Sequence, residues 1–173
     1  MTMNHENLEK LASYLENLPE DYQHFGMQTY VTPTDMAALK KYAENNGGVH
    51  TCGTSACALG HGPAAGILFP DDDKFWERTQ SAYLFDEKGT PQWVDGPFRL
   101  PNWDAYCFEF FLPEDNNHEL WSWCFGPSWS RIDDTPKGAA ARIRYFLAKD
   151  VPHDFSKPED RYQTMANNYL KGA

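Results

Sequence analysis

The sequence predicts one α+β domain spanning residues 1–173, in which several helices surround a small, aromatic-rich antiparallel β element. Apolar residues recur at helical spacing in several segments. The 6 Trp, 9 Tyr and 11 Phe are concentrated after residue 75, in short runs broken by Gly-Pro and Leu-Pro that are typical of strands. A chain of this length buries about 70% of its unfolded surface, so its core needs no disulfide.

Two helices are predicted in the N-terminal third of the chain. The first covers residues 5–18, where leucines recur at spacings of three and four and Pro19 ends the pattern. The second begins at residues 32–35, Thr-Pro-Thr-Asp, which supply a capping hydroxyl and a proline suited to the first turn. It runs up to the Asn-Asn-Gly-Gly of residues 45–48, because paired glycines end a helix.

The middle of the chain mixes helix and strand signals. A helix is predicted over residues 73–84, since the aspartates at its start can cap it. Strands are predicted after it, with residues 106–112 and 119–125 pairing as a hairpin across the turn at residues 115–117. Aromatic residues alternate in the second of these strands, so they would lie on one face of the strand, and that face is predicted to be buried.

The strongest helix signal lies near the C-terminus. Thr135 can cap this helix, Pro136 fits its first turn, and an apolar stripe follows. A last helix is predicted over residues 158–170. The buried face of the stronger helix is predicted to consist of Ala139, Ala140, Ile143, Phe146 and Leu147.

Residues 50–66 concentrate the reactive side chains. Two of the 4 Cys, two of the 6 His and four of the 12 Gly lie there. The segment is predicted to be a turn entering a helix whose first turn is residues 54–57, with Thr54 as the cap. Cys52 would then precede a helix N-terminus, where the dipole and the unbonded N–H groups favour a thiolate.

The Cys-Gly-Thr-Ser-Ala-Cys-Ala-Leu-Gly-His of residues 52–61 resembles an uncharacterised family of bacterial and bacteriophage proteins with a Cys-Gly-Thr-x-x-Cys-x-x-Gly pattern. Residues 123–125 and 133–143 belong to the same resemblance, which extends from about residue 25 to residue 150. It implies a phage setting, in which the chain would be a small counter-defence or host-modifying protein. The resemblance implies no particular activity.

Cys-Gly-Thr entering a helix is also similar to the nucleophile motif of the papain-like ubiquitin C-terminal hydrolases. That local resemblance implies that Cys52 is a catalytic nucleophile assisted by His118 and Asp133, which follow it in the family's order. A helix N-terminus or a nearby histidine lowers a thiol pKa to about 3.5–7.5, as nucleophilic attack requires. The alternative is a small thiol packed behind a glycine turn.

A zinc site is a further alternative. Cys52, Cys57 and His61 are closely spaced candidate ligands, and Cys107 or Cys124 could complete a tetrahedron. A buried thiol and a packed histidine on one helix face explain the same spacing. We therefore expect neither a bound metal nor a cofactor.

Binding without catalysis is the leading prediction. The ligand is expected to be small and anionic or nucleotide-like, or else a host protein, held at the predicted helix start with the segment 121–131 as a second wall. The alternative is that these aromatic and basic residues are core and solvated helix surface. The candidate binding residues are Gly53, Thr54, Ser55, His61, Trp123, Arg131 and Arg142.

The net charge of −10 argues against binding a nucleic-acid backbone. No apolar run reaches membrane-spanning length, and the N-terminus lacks a signal-peptide pattern. A cytoplasmic protein without membrane contact is therefore expected. The sequence leaves its oligomeric state open.

Overall fold

Helices and two small antiparallel sheets make up the fold, which confirms the α+β class. The computed structural model describes residues 4–19, 22, 25–27, 31–33, 54–68, 70, 72–85, 91–111, 117–148 and 162–172. In these ranges the helices are α1 (His5–Glu16), α2 (Trp103–Phe110), α3 (Asn117–Phe125), α4 (Pro136–Leu147) and α5 (Tyr162–Gly172). The strands are β1 (Val31–Pro33), β2 (Thr54–Ala56), β3 (Trp76–Phe85) and β4 (Pro91–Pro101). Short 3₁₀ turns occur at Leu59–His61, at Asp73–Phe75 and at Pro127–Arg131, the last being the 127–131 turn.

Helices α1 and α4 form where the sequence predicts them, although Leu147 of the predicted buried face of α4 is only half-buried. Asn4 caps α1 by accepting from the backbone N–H of Asn7 at 3.1 Å. Thr135 caps α4 by accepting from the backbone N–H of Gly138 at 2.9 Å, and Pro136 occupies the first turn. The two helices pack against each other through apolar faces. Arg144 of α4 adds ion pairs to glutamates of α1 across this contact.

The strands form two separate two-stranded sheets. β1 pairs with β2 antiparallel, with Val31 opposite Ala56 and Pro33 opposite Thr54. β3 and β4 form a long antiparallel hairpin from Trp76 opposite Pro101 to Phe85 opposite Pro91, with an irregularity between Thr79 and Ser81.

The prediction of a helix over residues 73–84 is wrong. The capping signal is real, since Asp72 accepts from the backbone N–H of Lys74 at 3.0 Å, but it starts only the 3₁₀ turn Asp73–Phe75. The chain then continues as β3. Its Trp, Thr, Tyr and Phe residues favour a pleated surface, and β4 supplies backbone hydrogen-bond partners that no local signal revealed.

The hairpin predicted from residues 106–112 and 119–125 is also wrong, because both segments are largely helical. Asn102 caps α2 by accepting from the backbone N–H of Ala105 at 3.0 Å. In α3 the consecutive residues Trp123, Cys124 and Phe125 are all buried, so their surroundings are apolar on more than one side. A short helix packed in this way lacks the 3.6-residue period that would distinguish it from a strand.

The helix predicted to start at Thr54 does not form. Residues 54–56 are β2, so Thr54 is not a helix cap, and the 3₁₀ turn Leu59–His61 follows in place of the predicted helix. Pairing with β1 satisfies this backbone in place of a helix. Residues 32 and 33, the predicted start of the second helix, lie in β1, and the rest of that prediction falls outside the described residues.

The final predicted helix is confirmed as α5 over Tyr162–Gly172, and the predicted residues 158–161 lie outside the described residues. It packs against α3, and Tyr169 of α5 meets Trp123 edge-on with ring centroids 5.6 Å apart. None of the helices in the described ranges combines the length and apolar character that crossing a bilayer requires.

Candidate functional site

A surface cavity of about 520 Å³ opens beside the 127–131 turn. Its described lining consists of Pro127, Ser128, Ser130 and Arg131. Arg131 is exposed, and its side chain forms no ion pair or hydrogen bond in the part of the chain that the structure describes. Among the described residues, no side chain occupies the donors of its guanidinium.

Trp129 anchors this wall to the core. Its ring is fully buried, its indole N–H donates to the backbone carbonyl of Ser122 at 3.1 Å, and it meets the ring of Trp123 edge-on at 5.4 Å. Gly126 allows the chain to turn tightly out of α3, because a Cβ there would lie 2.5 Å from the Ser122 carbonyl oxygen. With Trp129 held inward, the residues on either side of it line the cavity.

Arg142 supports the wall from behind. It is fully buried, and its guanidinium carbon lies 4.3 Å from the centroid of the Trp129 ring, a cation–π contact. Its Nη1 donates to the Asp133 carbonyl at 3.3 Å and lies 3.7 Å from the Asp133 carboxylate. The Asp133 backbone N–H donates to the Trp129 carbonyl at 2.8 Å, so the turn is tied at its exit as well.

Two of the predicted binding residues, Trp123 and Arg142, therefore lie in the core. The indole N–H of Trp123 donates to the backbone carbonyl of Arg142 at 2.9 Å, and both side chains are fully buried. They hold the wall of the cavity instead of facing it. Among the predicted binding residues with described side chains, Arg131 is the one that reaches the surface.

His61 also lies in the core. It is fully buried among Tyr14, Tyr22 and Phe25, whose ring centroids lie 6.0, 5.7 and 5.6 Å from its own. Stacking against Phe25 and contact with two further rings give the imidazole a packing role. It has no surface that a ligand in solution could contact.

The described cysteines are buried free thiols. Burial raises the pKa of Cys57 to about 11 and that of Cys124 to about 12. Burial also raises the pKa of Cys107 well above its ordinary value. These thiols stay protonated at neutral pH, so none of the three is an activated nucleophile. Within the described ranges, no three His, Cys, Asp or Glu side chains form a group that could hold a metal.

The predicted catalytic set is only partly described. Cys52 and Gly53 lie outside the described residues, and Ser55 lies in β2 with Thr54. His118, expected in a turn, lies in the first turn of α3. Asp133 is half-buried, accepts from the Thr135 hydroxyl at 2.7 Å and pairs with Arg142. The role of Cys52 as a nucleophile stays a prediction.

Comparison of the chain with protein-family models, with curated proteins and with solved structures found no match. The chemistry of the site must therefore be inferred from its own side chains. Sequence reasoning missed Ser128 and Ser130 as lining residues. The signal was present as a Ser-x-Ser-Arg run directly after the Gly-Pro break at residues 126–127, because such a break places the following polar residues at the surface.

Proposed function

We propose that the protein is a binding protein without catalytic chemistry at this site, and that it holds a small anionic ligand in the cavity beside the 127–131 turn. The observation that carries the proposal is the exposed Arg131, which lines a cavity together with two serines and has no described ion-pair partner. Cavities of roughly 300–1,000 Å³ are typical of small-molecule sites, and this one measures about 520 Å³.

The charge pattern supports an anion. The chain carries a net charge of −10, and the other described arginines with described side chains contact carboxylates: Arg78 with Asp73, Arg142 with Asp133, and Arg144 with two glutamates. Arg131 alone among them has no carboxylate partner. Its planar guanidinium can form two parallel hydrogen bonds to an oxyanion, and the hydroxyls of Ser128 and Ser130 can donate to the same group.

This proposal moves the predicted site. The Cys52–His61 stretch was expected to bind the anion at a helix N-terminus, but residues 54–56 form β2 and His61 is buried. Among the described side chains of the predicted site, the accessible polar groups lie in its second wall, which ends at Arg131. A phage setting stays an implication of the resemblance.

The proposal can be tested by ¹⁵N NMR of the full chain titrated with sodium benzoate and with inorganic phosphate. We expect the Arg131 Nε–H signal and the Ser130 amide signal to shift saturably with at least one of these anions at millimolar concentration. Arg78 is the internal control, because it is an exposed arginine on β3. Its signal should change little.

A matched pair of variants sharpens the test. Arg131→Met should remove the saturable shift of the Ser130 amide, whereas Arg78→Met, which removes the same charge elsewhere, should leave it intact. If Arg131 and Arg78 respond alike and without saturation, the anion site is refuted.

A further inference from the structure

The size of the cavity bears on the class of its ligand, and the inference that follows rests on the proposed function. A volume of about 520 Å³ exceeds what a bare inorganic anion fills. Pro127 lines the cavity, and the next residue after the turn, Ile132, is 44% exposed. An anion with an apolar organic body would fill this space and cover part of that apolar surface.

The number of cations bears on the charge of the ligand. Arg131 is the only cation among the described residues that line the cavity, and the serines contribute neutral donors. Arg142 lies behind the wall, fully buried, and its charge is already matched by the Asp133 carboxylate at 3.7 Å. One available positive charge matches one negative charge on the ligand.

Asp134, three residues after Arg131, adds an exposed negative charge to this part of the chain. Asp134 is exposed, and its Oδ1 accepts from the backbone N–H of Met27 at 2.6 Å, which keeps it in place. The backbone N–H groups of Ile132 and Asp133 both donate to the Trp129 carbonyl, at 3.0 and 2.8 Å, so the chain is folded against the turn up to Asp133, and Asp134 follows directly. A dianion would meet this carboxylate as well as the overall negative charge of the chain.

The geometry points to an organic monocarboxylate as the ligand class, with its carboxylate on the Arg131 guanidinium and the Ser128 and Ser130 hydroxyls, and its apolar body against Pro127. A planar carboxylate accepts the two parallel guanidinium N–H groups in the arrangement that arginine favours. A nucleotide or other phosphorylated compound is disfavoured, because its second charge has no partner among the described lining residues.

Benzoate and phenyl phosphate provide matched probes, because they share the aromatic ring and differ in the anionic head. At pH 8, where phenyl phosphate is a dianion, the Arg131 Nε–H titration should give a dissociation constant for benzoate about tenfold lower than for phenyl phosphate. If phenyl phosphate binds saturably and at least as tightly as benzoate, the carboxylate assignment is overturned and the anion site stands. If neither probe nor inorganic phosphate gives a saturable shift, both the carboxylate assignment and the anion site are refuted.

A charge variant tests the reason for the preference. Asp134→Asn keeps the oxygen that accepts from Met27 and removes the negative charge. It should therefore lower the ratio of the phenyl phosphate to the benzoate dissociation constant by about twofold. Asp95→Asn is the control, since it removes the same charge from an exposed position of β4 and should leave the ratio unchanged. A ratio that does not respond to Asp134→Asn would overturn the charge basis of the assignment.

Discussion

Arg142 lies with its guanidinium carbon 4.3 Å from the centroid of the Trp129 ring, and both side chains are fully buried. The contact joins the middle of α4 to the 127–131 turn. Asp133 completes the connection, because it receives the Arg142 guanidinium and donates its own N–H to the Trp129 carbonyl. The wall of the cavity is therefore held by a residue two turns along the following helix.

Arg142→Met should destabilise the protein by about 2–3 kcal/mol. Removing one partner of a buried ion pair costs about 3–5 kcal/mol, and the partial exposure of Asp133 lowers that cost. The matched control is Arg144→Met, which removes the same group from the half-exposed side of α4 and should cost about 1 kcal/mol or less. Urea unfolding followed by tryptophan fluorescence measures both, and equal losses would contradict a special role for Arg142.

Gly138→Ala should also destabilise the protein, by about 1–2 kcal/mol, although alanine is favoured over glycine in a helix by about 1 kcal/mol. A Cβ at Gly138 would overlap the Asp133 carboxylate, and moving that group weakens its contacts with Thr135 and Arg142. Gly26→Ala is the control, because a Cβ there meets nothing within 4 Å. Thermal unfolding compares the two variants with the parent protein. A midpoint for Gly138→Ala above that of the parent would contradict the predicted overlap.

Native protein should expose no more than one reactive thiol of its 4 cysteines. Cys57, Cys107 and Cys124 are buried, and burial raises the pKa of each thiol. Reaction with a disulfide reagent at pH 8 should therefore modify at most one cysteine in the native protein and all of them in denaturant. Peptide mapping identifies the modified residue, and rapid modification of Cys57 would contradict the packing around it.

Stability should fall as the pH rises above about 9. The Cys57 thiol has an ordinary pKa of 9.0 and a folded-state pKa of about 11, so between these values the unfolded chain loses a proton that the native state retains. The stabilisation is complete below pH 9 and decreases through pH 11. Each buried thiol contributes up to about 1.4 kcal/mol per pH unit in its own window.

Chemical unfolding measured from pH 7 to pH 11 checks this pH dependence. Tyr14, whose pKa burial raises to about 12, adds a further loss above pH 10. Cys57→Ala should be less stable than the parent at pH 7 and should lose stability less steeply above pH 9. A free energy of unfolding that stays constant between pH 9 and pH 11 would contradict the prediction.

The sequence alone determined those elements whose signals are local. The leucine spacing of α1 and the Thr135-Pro136 start of α4 act through contacts within a few residues, so the pattern and the structure agree. The helical part of the α+β class followed from the same kind of signal, whereas the strands form from segments other than the predicted hairpin. Arg131 was also predicted from the sequence, as part of the second wall at residues 121–131, and its side chain is exposed.

Tertiary structure decided the elements whose partners are distant in the chain. Residues 76–85 are a strand because β4 pairs with them, and residues 54–56 are a strand because β1 does. The helices α2 and α3 are short and aromatic, so burial on several sides hides their period. The same burial turned His61, Trp123 and Arg142 from predicted ligand residues into core, because an aromatic or basic side chain becomes a binding group only where the fold leaves it in contact with solvent.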